Sequence, residues 1–227
     1  MLSAVAIVPC APVLVPELAG AAGAEVADLA GAVVAAAAVL PRRWVAVGID
    51  RVDAVVTRDS VGTFAGFGVD VPVRLSPEPG VVRGMPLCAL MAAWVRGRAR
   101  PDGSAEVRVY AADADPVMAV AHGRRLRADI DAQTDPTGVL IVADGANTLT
   151  ARAPGGYDPG GAGAQQLLDD ALAAGDVAAL SRLPRRILGR VAFGVLAGLV
   201  EPGPRSAKEL YRGAPYGVGY FAGVWQP

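Results

Sequence analysis

Three polar segments carry the residues that could do chemistry, and each directly follows an apolar run. Cys10 comes after SAVAIV at 3–8, Asp50 comes after RWVAVGI at 43–49, and DGANT at 144–148 comes after GVLIVA. A thiol can act as a nucleophile or a soft metal ligand, and carboxylates can hold metals or move protons. Because sites in open α/β sheets form beyond the carboxyl ends of strands, we expect the three segments to meet.

Each of these residues also has a purely structural interpretation. Cys10 stands between two prolines and can serve as a small buried filler. Asp50 and Asp144 can form turns and caps at the ends of strands. A nucleophilic cysteine needs a base or a lowered pKa, and the residues near Cys10 offer no evident partner. The sequence alone leaves the structural and the chemical interpretation open.

The motifs of other catalytic and nucleotide-binding sites do not occur in the sequence. It has no GxxxxGK[ST] loop, no GxSxG nucleophile elbow and no paired CxxC zinc pattern. The single histidine, His122, falls in a predicted helix at 117–130, on an apolar stripe with Met118, Leu126 and Ile130. A structural role is therefore expected for His122.

Strand patterns alternate with helix patterns along the whole chain. Strands are predicted at 3–8, 43–49, 105–110, 138–144 and 218–224, with shorter β segments at 54–57 and 69–75. Helices are predicted at 17–40, from Pro86 onward, and at 117–130, 164–174, 176–183 and 185–200. This alternation predicts an α/β fold, a three-layer α/β/α single domain over 1–227 with a central mostly parallel or mixed sheet.

Composition limits the partners and the compartment. The net charge is −1, which argues against a nucleic-acid partner. The apolar stretches are shorter than the roughly 20 residues of a membrane span, and no signal peptide is recognisable. Two cysteines do not make a disulfide framework. We therefore expect a cytoplasmic protein with no membrane association. The single lysine, Lys208, among many arginines is typical of GC-rich bacterial genomes.

Three longer segments resemble, in order, motifs of the catalytic subunits of the class III extradiol dioxygenase superfamily. AIVPCAPVLVPE at 6–17 is similar to the family's first strand, Pro-His-Pro-Pro turn and LLVPE-like run. VLIVADGANTLTARAPGGYDP at 139–159 resembles its strand, Gly-Asp-Leu-Ser-His segment and Ala-Pro-x-Gly-Tyr-Asp-Pro loop. GAPYGVGYFAGVW at 213–225 resembles its C-terminal Pro-Phe-Gly-Val-Gly-Tyr strand. The resemblance implies the family's α/β fold, which Memo-type proteins share without the dioxygenase activity.

The same resemblance implies that the family's iron site has changed in this chain. Active members hold Fe(II) through two histidines and a glutamate, and a further histidine acts as acid and base. Cys10 stands at the first histidine position, Asp50 at the second and Asn147 at the acid/base position. Asp144 matches the aspartate of the Gly-Asp-Leu-Ser-His segment.

The family's glutamate has no counterpart in register. Arg212 and Gly213 occupy its expected position, and Glu209 lies nearby. If Arg212 points toward the former metal position, its charge would oppose a cation and favour an anion. The resemblance thus implies a family fold without its Fe(II) cofactor and without a metal site. The residues expected to line the remaining pocket are Cys10, Asp50, Asp144, Asn147, Thr148, Tyr157 and Arg212.

Two functional hypotheses follow from the resemblance. In the first, the protein has lost ring cleavage and acts as a small-molecule-binding or scaffold protein. In the alternative, it is an active oxidoreductase, such as an aromatic ring-opening dioxygenase, with a rearranged metal site of Cys10, Asp50 and Glu209. A homo-oligomer or a small partner subunit is compatible with either hypothesis.

Overall fold

The computed structural model describes residues 1–227, which form ten strands and seven helices. In chain order these are β1 (Leu2–Val8), α1 (Pro16–Ala19), α2 (Ala27–Ala38), β2 (Arg43–Asp50), β3 (Ala54–Val56), β4 (Ser60–Thr63), β5 (Pro72–Arg74), β6 (Val81–Val82), α3 (Leu87–Ala99), β7 (Ser104–Ala111), α4 (Pro116–Asp131), β8 (Thr137–Val142), α5 (Gly161–Ala174), α6 (Val177–Leu180), α7 (Arg190–Leu199), β9 (Ser206–Gly213) and β10 (Tyr220–Gln226).

The central sheet has seven strands in the order β3-β7-β2-β8-β1-β10-β9. Strands β7, β2, β8 and β1 run parallel, whereas β10 is antiparallel to β1 and β3 is antiparallel to β7. Every residue of β8 is buried, as expected for a central strand that is covered on both faces. The chain between β3 and α3 adds a separate three-stranded sheet, β5-β4-β6.

Helices cover both faces of the central sheet. Along β1, Ala4, Ala6 and Val8 enter one apolar cluster, which contains buried residues of α2 and α3. Val5 and Ile7 enter a second cluster, which contains buried residues of α4, α5 and α7. The protein is therefore a three-layer α/β/α structure around a mixed sheet, which confirms the predicted fold class. None of its helices combines the length and the apolar character needed to cross a bilayer.

Two predicted helices are shorter than expected. The helix predicted over 17–40 is interrupted at Gly20, whose φ of 53° is a left-handed conformation that favours glycine, and α2 begins only at Ala27. The helix predicted over 185–200 begins only at Arg190. Just before it, the backbone N–H of Gly189 donates to the Asp144 carbonyl, which ties this segment to the loop after β8 instead.

The buried face of α4 also differs from the predicted stripe. Its buried residues are Ala119, Gly123, Leu126 and Ile130. Met118 is 46% exposed and His122 is half-buried, so the prediction for these two residues is wrong. The reason is the crossing with α7, where a methyl group on Gly198 would lie 2.0 Å from the Val120 carbonyl oxygen. The two helix backbones meet at their glycines, and this contact determines which side of α4 faces the core.

Candidate functional site

The carboxyl ends of the parallel strands bring Cys10 and Asp144 together. Cys10 follows β1, Asp144 follows the neighbouring strand β8, and the Cys10 backbone N–H donates to Asp144 Oδ1 at 2.8 Å. Strand β10 pairs with β1 through Ile7 and Gly223, and continuing this register by three residues sets Tyr220 opposite Cys10. The first strand's turn, the loop after β8 and the start of β10 therefore meet at one edge of the sheet.

Cys88 adds a second thiol to this edge. It lies in the first turn of α3, is buried, and packs directly over Gly48 of β2. A methyl group on Gly48 would lie 2.3 Å from Cys88 Cβ and 2.7 Å from its Sγ, so only glycine permits this approach. Asp50 lies two residues further along β2, where alternation directs it to the same face, and it is exposed. We call Cys10, Cys88, Asp50 and Asp144 the edge cluster.

Burial keeps the edge cluster largely uncharged. Burial raises the pKa of the Cys10 thiol well above its usual value, and the Asp144, Cys88 and Asp50 charges raise it further. Burial, together with the Asp50 charge, raises the pKa of Cys88 to about 12. Burial also raises the pKa of Asp144 to about 6, although the Cys10 N–H opposes this shift. Both thiols are protonated at neutral pH, and neither is an activated nucleophile.

The loop after β8 is held rigidly by β10 and α5. Gly145 N–H donates to the Gly219 carbonyl at 2.9 Å, and Gly219 N–H donates to the Ala146 carbonyl at 2.8 Å. Gln165 of α5 is buried, and its Oε1 accepts the Ala146 N–H at 2.8 Å. Asp169, one turn later, accepts the Gln165 side-chain amide at 2.8 Å. These bonds fix the backbone that presents Asp144 to Cys10.

Asn147 and Thr148 lie in this loop but organise the glycine-rich segment that follows it. The Asn147 carbonyl accepts the Gly155 N–H at 2.9 Å, and its side chain packs against the same glycine. The Thr148 carbonyl accepts the Asp158 N–H at 3.0 Å, and its hydroxyl packs against Gly161 at the start of α5. Both residues are therefore engaged beside the edge cluster, within the loop itself.

Tyr157 and Arg212 lie outside the edge cluster. The Tyr157 side chain is 66% exposed. Arg212 is on β9 and donates to Asp170 of α5 at 3.0 Å and to Glu209 at 2.5 Å. Its ion pairs lie against α5, on the sheet face opposite that of Cys88, so the expectation that Arg212 approaches the former metal position is wrong. The shift of register in β9–β10 between Ala222 and Gly223 is what brings Glu209 and Arg212 to the same side.

The side chains of the edge cluster do not fit the Fe(II) site that the family resemblance implies. A non-haem Fe(II) site uses imidazole and carboxylate ligands, and the cluster offers two protonated thiols and two carboxylates. No three side chains of the metal-binding types are arranged to hold an ion together. Glu209, the further carboxylate of the rearranged-site hypothesis, is engaged by Arg212.

Sequence reasoning missed Cys88, Tyr220 and Gln165 as members or supports of this edge. Tyr220 lies in the quoted C-terminal motif, and the strand pairing alone would have placed it beside Cys10. Burial raises the pKa of its phenol, and the Asp144 charge adds to the effect. Cys88 and Gln165 carry no such local signal, because their positions depend on how α3 and α5 pack.

Comparison with known proteins gives one informative match. No protein-family model matches the sequence, and no curated protein does. Among solved structures, the chain is similar to the uncharacterized protein JW3007 from Escherichia coli K12, with a TM-score of 0.59 and 13% sequence identity. The match covers 99% of this chain and 100% of that one. At this identity the likeness shows a shared fold and nothing about activity.

Proposed function

We propose that this protein is related to the catalytic subunits of class III extradiol ring-cleavage dioxygenases, that it has lost their Fe(II) site and activity, and that it acts as a small-molecule-binding or scaffold protein. The family assignment is supported by three motifs in the family's order along the chain and by a mixed α/β/α sheet.

One observation carries the proposed loss of iron. The Cys10 backbone N–H donates to Asp144 Oδ1 at 2.8 Å, and the thiol beside it is held protonated by burial. A ligand to Fe(II) must be deprotonated, so binding iron through Cys10 would first require loss of a proton that the surroundings disfavour. Asp144 is already engaged as an acceptor, which leaves Asp50 as the exposed carboxylate.

The alternative, an active oxidoreductase with a rearranged metal site, has less support. It needs Glu209 to join Cys10 and Asp50. Glu209 instead lies on β9 and accepts a hydrogen bond from Arg212 at 2.8 Å. Moving it would break that ion pair and would carry the carboxylate across the sheet.

A ring-cleavage assay tests the proposal. The protein is incubated anaerobically with excess Fe(II), then mixed with aerated solutions of protocatechuate and catechol, and the ring-opened products are followed by absorbance. We expect no turnover above that of Fe(II) alone. A matched Cys10→Ala variant should behave identically and should change the free energy of unfolding by less than about 2 kcal/mol. Iron-dependent turnover that disappears in Cys10→Ala, with the fold intact, would overturn the proposal.

A further inference from the structure

A cavity of about 330 Å³ lies at the opposite edge of the sheet from β9, between the β3–β7 pair and α4. It opens on the sheet face covered by α4, whereas Cys10 and Cys88 pack on the other face. An inference about this cavity is therefore independent of the proposed loss of iron. Its floor is apolar and includes Val109 and Leu126.

Two aromatic rings form one wall of the cavity. The rings of Tyr110 on β7 and His122 on α4 stack with their centroids 4.7 Å apart and a tilt of 36°. Both side chains are half-buried, so part of their surface remains open to the cavity. Aromatic walls of this kind favour planar aromatic ligands, which stack face to face or edge to face with such rings.

Four charged side chains surround the rings. Arg125 lies on α4 one turn beyond His122 and forms no ion pair, and Asp129 lies one further turn along. On the sheet side, Arg108 Nε pairs with Glu106 at 2.9 Å. The fourth, Asp53, accepts the Ala111 N–H at 2.7 Å and is therefore partly engaged. These charges act on the same ring, because after burial the charges of Arg108, Asp53, Asp129 and Arg125 are what shift the Tyr110 pKa.

We propose that this cavity binds a planar aromatic compound that carries an anionic group and an aromatic amino or hydroxyl donor. The ring stacks on His122 and Tyr110, and the anionic group pairs with Arg125. Asp129 accepts the donor. The chemistry is that of an amino- or hydroxybenzoate or of a nucleoside monophosphate, and the two sources differ in whether the anion is a carboxylate or a phosphate.

His122 provides the measurement, because it is the only histidine in the chain. Untagged protein labelled with ¹³C in histidine alone gives a single set of ring signals. These are recorded while 4-aminobenzoate or adenosine 5′-monophosphate is added. The neutral counterparts, 4-aminobenzamide and adenosine, are titrated in the same way. We expect saturable shifts with a Kd below about 1 mM for at least one anionic probe, and binding at least about tenfold weaker for its neutral counterpart.

Adjacent arginines of α4 give a matched pair of variants. Arg125→Ala should weaken the anionic probe by about tenfold or more, since it removes the cation that meets the anion. Arg124 points away and pairs with Glu201 at 2.7 Å, so Arg124→Ala should leave the Kd within about twofold. Thermal unfolding of both variants checks that they fold. The proposal is overturned if neither anionic probe shifts His122 saturably, if the neutral probes bind equally well, or if the two variants weaken binding equally.

Discussion

Replacing Asp144 with asparagine should stabilise the protein at neutral pH, although it alters the centre of the edge cluster. Burial raises the pKa of Asp144 from 3.8 to about 6. At 1.36 kcal/mol per pKa unit, a charged Asp144 costs the folded state about 3 kcal/mol at most. The side chain keeps partial contact with solvent, which lowers the expected cost to roughly 1–3 kcal/mol. Asparagine cannot ionise, and its Oδ1 can still accept the Cys10 N–H.

The effect has a defined dependence on pH. Between about pH 4 and 6 the folded protein keeps the Asp144 proton that the unfolded chain has lost, so its stability falls as the pH rises. Below this range the carboxyl is neutral in both states, and above it the charge penalty is constant. The difference in unfolding free energy between Asp144→Asn and wild type should therefore be small near pH 4, grow up to about pH 6 and then stay level.

Urea unfolding followed by tryptophan fluorescence at several pH values measures this difference. Asp158→Asn is the control, because hydrogen bonds from Arg186 and Gly160 hold the pKa of the exposed Asp158 below its usual value. Its carboxylate stabilises the fold above the unfolded pKa and loses that effect as the pH falls, so the control should show the opposite trend. A pH-independent difference for Asp144→Asn, or a variant less stable than wild type at pH 7, would refute the reasoning about burial.

Two other properties can be tested by simple measurements. An added methyl group lies 2.0 Å from the Val120 carbonyl oxygen in Gly198→Ala, so we expect a loss of at least about 2 kcal/mol in thermal unfolding. In Gly97→Ala, where nothing lies within 4 Å, we expect a gain of up to about 1 kcal/mol, and equal effects would contradict the described crossing of α4 and α7. Cys10 and Cys88 should react with Ellman's reagent at pH 7 at least about 100-fold more slowly than glutathione until urea unfolds the chain. Fast reaction of either thiol in the folded protein would show that its pKa is not raised.

The central strands were predictable because their apolar runs leave few alternatives. β1, β2 and β8 are buried on both sides, and their sequences are nearly continuous in valine, isoleucine, leucine and alanine. The rule that sites form beyond the carboxyl ends of strands then pointed to Cys10 and Asp144, which the structure joins by a hydrogen bond.

Features that depend on long-range packing were not predictable. β9 reads SAKELYRG, with mixed polar and apolar residues, and it becomes a strand because β10 offers it an edge. The face that α4 buries depends on Gly198 of α7, which lies far away in the sequence. Arg212 was placed by a family register, which could not reveal the shift in β9–β10 pairing that turns it toward Asp170.

The metal content of the purified protein tests the proposed loss of iron most directly. The protein is produced in medium supplemented with iron, manganese and zinc, purified without chelators, and measured by elemental analysis against protein concentration. Because both thiols are protonated and no three ligands converge, we expect less than about 0.1 metal ion per chain. A stoichiometric amount of iron, manganese or zinc, removed together with Cys10 or Asp50, would contradict the proposal.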